Sequence, residues 1–67
     1  MRYFIIFFVA TNKKGEQYAF ASPYIGRQIL WEYLFEDMNE EHDFSSLMVT
    51  GHQEVTHQKL KSIFPKI

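Results

Sequence analysis

Three histidines are the side chains of this sequence best suited to hold a metal ion or to act as a base. His42, His52 and His57 are separated by nine and four intervening residues. This spacing matches neither the i, i+4 pair that binds zinc on a helix nor a zinc-finger pattern. A divalent cation would need all three to converge with Glu54 or Asp43. We therefore expect surface histidines and no metal site.

Catalytic chemistry has little support elsewhere in the chain. Ser45, Ser46 and Thr50 carry hydroxyl groups, but the sequence contains no nucleophile elbow, phosphate-binding Gly-rich loop or metalloprotease histidine pair. Because cysteine is absent, a thiol nucleophile, a disulfide framework and a cysteine-based zinc site are excluded. A chain of 67 residues with three glycines also rarely encloses a substrate cleft. We predict that the protein is not an enzyme and binds no cofactor.

The acidic side chains are concentrated in the middle of the chain. Residues 36–54 carry six acidic and no basic side chains, among them Glu36, Asp37, Glu40, Glu41 and Asp43. Such a cluster could hold a hard cation or meet a basic partner. It does not match a calcium-binding loop, since histidine stands where that loop needs glycine and methionine where it needs glutamate. The simpler interpretation is a solvated helix end.

Hydrophobic residues make up 46% of the chain, and their order predicts the elements that would position any site. Residues 2–11 are rich in β-branched and aromatic types, which favours a strand. Gly15 follows where a three-residue hairpin loop takes a left-handed residue, so a second strand should return along the first. The predicted register has three diagnostic pairs, which are Ala10 with Tyr18, Phe8 with Phe20 and Phe7 with Ala21.

The middle of the chain predicts a helix. Ser22 is a suitable N-cap, and Pro23 suits the first helical position. We expect a helix from there to about Met38 or Glu41.

The last third of the chain predicts a strand and a short helix. Residues 46–55 alternate roughly between apolar and polar types, with a bulge expected at Gly51. Thr56 is then a suitable N-cap for a last helix, and Val55 and Leu60 would form a hydrophobic staple across its start. An alternative interpretation starts this helix near His52.

This order of elements predicts an α+β fold with a single domain over residues 1–67. A right-handed crossover from the second strand to the third places the first strand between them. We therefore predict a three-stranded sheet of order 2-1-3 with antiparallel neighbours, one long helix on one face and a short C-terminal helix. The unbroken apolar run of the first strand fits a central position.

Both faces of this sheet are apolar, although one long helix can cover only one of them. We expect the helix to cover the face on which alanines allow a close approach. That face carries Ile5, Phe7, Val9, Ala19, Ala21, Leu47 and Val49. The apolar stripe of the helix consists of Leu30, Trp31, Leu34, Phe35 and Met38. The opposite face carries Phe4, Ile6, Phe8, Tyr18, Phe20 and Met48.

Three interpretations of that opposite face stay open. The short helix could fold across it and complete a monomeric core, or it could be an interface, most simply of a two-fold homodimer. Its rings could also stack unpaired bases of single-stranded nucleic acid, although the acidic excess disfavours that partner. We predict a small protein-interaction module that is homodimeric or binds a protein partner. Its predicted contact residues are Phe4, Phe8, Tyr18 and Phe20. On this prediction Phe8→Lys dissolves the dimer and Phe7→Lys unfolds the chain.

The layout resembles small uncharacterised β-β-α-β-α proteins of bacteria, phages and mobile elements. The residues that carry the resemblance are the aromatic first strand from Tyr3 to Val9, the Lys14-Gly15 turn, Ser22-Pro23, and the segment from Gly51 to Thr56. The resemblance covers most of the chain as a pattern of elements. It implies no activity, cofactor or site residue.

The first ten residues superficially resemble a secretory signal, with Ala19-Phe20-Ala21 as a small-residue cleavage pattern. The segment between them, residues 12–16, is too long and too charged for a cleavage region. Eight apolar residues are also far fewer than the roughly 20 that span a bilayer as a helix. We predict a soluble, cytoplasmic protein that does not enter a membrane.

Overall fold

The computed structural model describes residues 1–42 and 44–67. It contains three strands and two helices in the predicted order. Their bounds are β1 Arg2–Thr11, β2 Gln17–Gly26, α1 Trp31–His42, β3 Ser46–Val55 and α2 His57–Ile63. The sheet has the order β2-β1-β3, and both neighbours of β1 run antiparallel to it. The α+β fold and the topology are therefore as predicted.

The hairpin between β1 and β2 closes as the sequence indicates. The Asn12 N–H donates to the Glu16 carbonyl at 3.0 Å, and the Asn12 side-chain oxygen accepts from the N–H groups of Lys14 and Glu16. Gly15 has a φ of 84°, the left-handed conformation that only glycine adopts without strain. All three predicted cross-strand pairs are present, so the turn sets the register of the whole hairpin.

The predicted start of the long helix is wrong. Strand pairing continues past Ser22 to Gly26, which lies opposite Arg2, and α1 begins only at Trp31. Hydrogen-bonded and non-hydrogen-bonded pairs alternate along an antiparallel ladder, and this alternation turns the Pro23 nitrogen to the outer edge, where no donor is needed. Ten residues of β1 thus offer backbone partners that outweigh a local capping signal.

The third strand and the last helix are close to their predicted bounds. Phe7 lies opposite Gly51 but Phe8 lies opposite Val49, so Thr50 is the extra residue of a β-bulge, one position before the predicted glycine. The Thr56 side chain accepts from the Lys59 N–H at 3.2 Å and caps α2. The cap is confirmed, and the alternative start near residue 52 is wrong.

The face chosen by the long helix is the opposite of the predicted one. Phe4, Ile6 and Phe8 form the buried core with Leu34 and Met38 of α1. The prediction that α1 covers the Ile5, Phe7 and Val9 side of β1 is therefore wrong, although Leu47 and Val49 of β3 do pack against this core. We call the side of the sheet beneath α1 the covered face.

Chirality explains this choice. Because Asn12 and Glu16 are hydrogen-bonded, the even-numbered residues of β1 direct their backbone groups toward β2. We view β1 running upward, with the side chains of its even-numbered residues toward the viewer. In this view the L configuration of the residues places β2 on the right and β3 on the left. A chain leaving β2 and returning as β3 makes a right-handed crossover only if it passes over the face turned to the viewer. That face carries Phe4, Ile6 and Phe8.

Helix α2 lies on the other side of the sheet, at the end where β1 begins. Its His57 ring stacks on Tyr3 with 4.7 Å between centroids, and its Leu60 is fully buried. The chain after α2 reaches β2, where Ile63 and Ile67 line one cleft together with Pro23. Helix α2 therefore crosses one end of this side and leaves the rest uncovered.

Candidate functional site

The four predicted contact residues lie on the covered face. Phe4 and Phe8 are only 4% and 1% exposed, and the Phe8 ring stacks on Phe20 at 5.1 Å between centroids. Phe20 is half-buried and Tyr18 is exposed, and both rings also meet the ring of Phe44 at 5.8 Å. Phe4 and Phe8 are thus part of the core of this chain, and a contact role of the four residues stays a prediction.

The part of the sheet opposite α1 that α2 does not cover is the candidate site, and we call it the open face. Phe7 is 40% exposed there and Met48 is 58% exposed. The register places Ala21 opposite Phe7, and it places Ala19 and Met48 on either side of Val9. The open face consists of Phe7, Val9, Thr11, Gln17, Ala19, Ala21, Ser46 and Met48.

The size of the open face follows from the lengths of the elements. Strands of ten residues extend about 33 Å, whereas α1 with its 12 residues is about 18 Å long. Helix α2 has seven residues and is about 10 Å in both length and diameter. It can therefore hide only about a third of a strand's length on its side.

The open face is uncharged and mainly apolar, and its polar side chains, Thr11, Gln17 and Ser46, all lie at the hairpin end. None of its eight side chains, all within the described part of the chain, carries a charge. Its large apolar groups lie on β1 and β3, whereas β2 contributes the small side chains of Ala19 and Ala21 and, at the hairpin end, the polar side chain of Gln17. The result is an uneven surface on which Phe7 and Met48 project and the alanines form a shallow depression.

Both edges of the sheet carry features that disfavour strand addition. Edge strand β2 contains Pro23, which has no N–H to offer a further strand. Edge strand β3 carries the bulge at Thr50, whose hydroxyl donates to the Phe7 carbonyl at 3.3 Å. Proline and bulges are common protections of exposed edges. The open face is therefore better suited to association than either edge.

The alternation of β3 predicts Met48 on the side of the sheet away from α1, where it does lie, but its neighbour there is Val9 and not Phe8. Phe7 and the alanines of β2 are the open-face residues that the prediction placed on the wrong side. Hairpin turns fix a register, whereas the register of β3 against β1 depends on the bulge and on the connection through α1. A shift of one residue moves every side chain of a strand to the other face. The alternation of β3 by itself did not show which face of β1 lies beside Met48.

The histidines do not converge. His52 lies on the covered face, with its ring 5.4 Å from Trp31 and 6.5 Å from Phe4 between centroids, whereas His57 stacks on Tyr3 on the other side. Among the described residues, no group of three or more His, Cys, Asp or Glu side chains could hold a metal ion. The predicted participants His42 and Asp43 lie outside the described side chains.

One ion pair joins the ends of β1 and β3 on the covered face. The Arg2 guanidinium donates to both carboxylate oxygens of Glu54, at 3.0 and 2.9 Å. The hydrogen bond from Arg2 and its positive charge lower the pKa of Glu54, and the same bond raises the pKa of Arg2. Both side chains are about half exposed, so the pair is accessible to water and salt.

The acidic segment lies on the outer surface of α1. Glu36, Asp37 and Glu40 are exposed, while the side chain of Glu41 and residue Asp43 lie outside what the structure describes. Within residues 1–42 and 44–67, neither helix has the length and apolar content needed to cross a membrane.

Comparison with known proteins gives no functional lead. No protein-family model, no curated protein and no solved structure matches this chain. Function is therefore inferred from the surface of this chain alone.

Proposed function

We propose that this protein is a small protein-interaction module that works as a homodimer, joined through the open face. The single observation that carries the proposal is an uncharged, mainly apolar sheet surface on which Phe7 is 40% and Met48 is 58% exposed. Contiguous exposed apolar surface beyond a few hundred Å² usually marks an interface in soluble proteins.

The total surface of the chain supports this proposal. A compact monomer of 8.1 kDa is expected to expose about 4,500 Å², whereas this chain exposes 5014 Å². Burying the difference, roughly 500 Å² on each chain, gives a dimer interface of about 1,000 Å², at the low end for a specific interface. We therefore expect a dimer that dissociates on dilution.

The radius of gyration agrees with an incompletely covered sheet. It is 12.4 Å, against about 10.9 Å for a compact domain of this length. The long dimension of 37 Å is close to the length of about 33 Å expected for a strand of ten residues.

The nucleic-acid alternative lacks a specific supporting observation. Stacking of bases requires exposed rings beside basic side chains, and Phe4 and Phe8 lie beneath α1. Phe7 is the single ring of the open face, and no basic residue accompanies it there. A cytoplasmic location is part of our proposal and rests on the sequence, because charged residues 12–16 follow the apolar start of the chain.

The test is the oligomeric state of the wild type and of two matched variants. Met48→Lys places a charge on the open face, and Tyr33→Lys places the same charge at a 64% exposed aromatic position on α1. Light scattering coupled to size exclusion, over a range of concentrations, should show a dimer for the wild type and for Tyr33→Lys. Met48→Lys should be monomeric with an unchanged circular dichroism spectrum.

Two results would overturn the proposal. One is a wild type that stays monomeric at every concentration. The other is a dimer that survives Met48→Lys but not Tyr33→Lys, because this would place the interface on α1.

A further inference from the structure

Resting on the proposed function, we infer that the second copy crosses the open face at close to a right angle, so that Phe7 of each chain packs on Ala19 of the partner subunit. The inference depends on where α2 lies and on the shape of the open face. Packed sheets adopt either an aligned or an orthogonal arrangement, and these two observations distinguish them.

Aligned packing of two copies is blocked by α2. Facing sheets lie about 10 Å apart, which is also the diameter of one helix. If the strands of both copies ran in the same direction, two α2 helices would compete for the same gap. If the strands ran in opposite directions, α2 of each copy would collide with the hairpin turn of the other. Helix α2 and the turn, residues 12–16, lie at about the same distance from Val9, at opposite ends of the sheet.

Orthogonal packing avoids both collisions. The open face measures about 13 Å along the strands, from Phe7 to Thr11, and about 14 Å across three strands, so it is nearly square. If the second copy is rotated by about 90° around the centre of the open face, near Val9, its α2 lies about 16 Å to the side of that centre. The sheet of the first copy extends only about 7 Å to each side of its centre, so the two do not collide. The open faces of the two copies can then be in contact over their full area.

In such a dimer the two-fold axis passes through the centre of the nearly square open face, along one of the two diagonals of the square. One places Phe7 on Ala19 of the partner subunit, and the other places Phe7 on Met48 of the partner subunit. Interiors are filled best when large groups face small ones. Phe7 against Met48 would hold the sheets apart and leave voids above the alanines, so the geometry favours the first diagonal.

A pair of complementary variants tests this arrangement. Phe7→Ala removes the large group from both contacts of the dimer, and Ala19→Phe places two large groups against each other. Each change by itself should weaken dimerisation by about tenfold or more. Mixed in equal amounts, the two variants should form a heterodimer of near wild-type affinity, because each contact then again joins one phenylalanine to one alanine. Native mass spectrometry distinguishes the species by mass.

The control is a second mixture, of Ala19→Phe with Thr11→Ala. On the rejected diagonal Ala19 faces Thr11 of the partner subunit, so rescue by Thr11→Ala instead of Phe7→Ala would overturn the inference. A wild-type dimer with no preference for the heterodimer in either mixture would overturn it too, while leaving the proposed function intact. A monomeric wild type would remove both. Circular dichroism of each variant excludes unfolding as the cause of a lost dimer.

Discussion

The two faces of strand β1 differ in burial, since one belongs to the core and the other is partly exposed. Phe4, Ile6, Phe8 and Ala10 are all buried on the covered face, whereas on the other side only Ile5 is buried and Phe7 is 40% exposed. The side chains on both faces are comparably apolar, so hydrophobicity does not separate them. What separates them is the length of helix that the chain places on each side. Whether an apolar face of a strand is buried or exposed thus depends on how much helix the connecting segments place over it.

The largest expected effect comes from placing the same charge on each face in turn. Phe8→Lys buries an unpaired ammonium group in the core and should cost more than about 4 kcal/mol, enough to unfold a domain of this size. Phe7→Lys should leave the fold within about 1 kcal/mol of the wild type and abolish the dimer. Circular dichroism with urea denaturation measures both. Two equally stable variants would contradict the assignment of the faces.

Truncating Leu60, the one buried side chain of α2, should weaken the packing of this helix on the sheet. Leu60→Ala leaves a cavity beneath the helix and should lower the free energy of unfolding by about 2–4 kcal/mol. Ile63→Ala, at a 47% exposed position of the same helix, should cost less than about 1 kcal/mol. Urea denaturation of the two variants distinguishes a docked helix from one that merely lies near the sheet. Equal costs would mean that α2 is not anchored through Leu60.

A smaller effect is expected from the cap of α2. Thr56→Ala removes the acceptor of the Lys59 N–H and should destabilise the protein by about 1 kcal/mol. Thr56→Ser keeps a hydroxyl at the same place and should restore most of this loss. Thermal unfolding of the three proteins provides the measurement. A serine variant as unstable as the alanine variant would assign the effect to the threonine methyl group.

The smallest effect concerns the ion pair that closes one end of the covered face. Since Arg2 lowers the pKa of Glu54 in the folded state, the pair stabilises the fold at neutral pH. This contribution should be lost as the pH falls through the ordinary glutamate range to the lowered value. Glu54→Gln should remove that part of the pH dependence, and high salt should reduce it, because both groups are half exposed. Identical stability profiles against pH for the two proteins would show that the pair contributes nothing.

Much of the fold could be predicted because local signals fixed it. The left-handed Gly15 determined the hairpin register, and Thr56 determined where α2 begins. Right-handed crossover then placed β1 in the centre. The face taken by α1 was also open to prediction, since the same handedness rule selects it once the even-numbered residues of β1 are known to point toward β2. The alanines of β2 suggested the wrong face because small side chains mark an open depression here and not a helix contact.

Other features could not be read from local patterns. Ser22 and Pro23 have the types of a helix start, yet they lie in a strand because β1 supplies backbone partners as far as Arg2. The bulge at Thr50 shifts the register of β3 by one residue, so Val55 lies opposite Tyr3 on one side of the sheet while Leu47 and Val49 lie on the covered face.

The sequence by itself determined the order of the elements, the hairpin register and the cap of α2, because each depends on residues a few positions apart. Only the tertiary structure decided which apolar surface stays in contact with water, because that depends on how far two short helices reach across strands of ten residues. Helices rise about 1.5 Å per residue and strands about 3.3 Å, so this chain builds more sheet than it can cover.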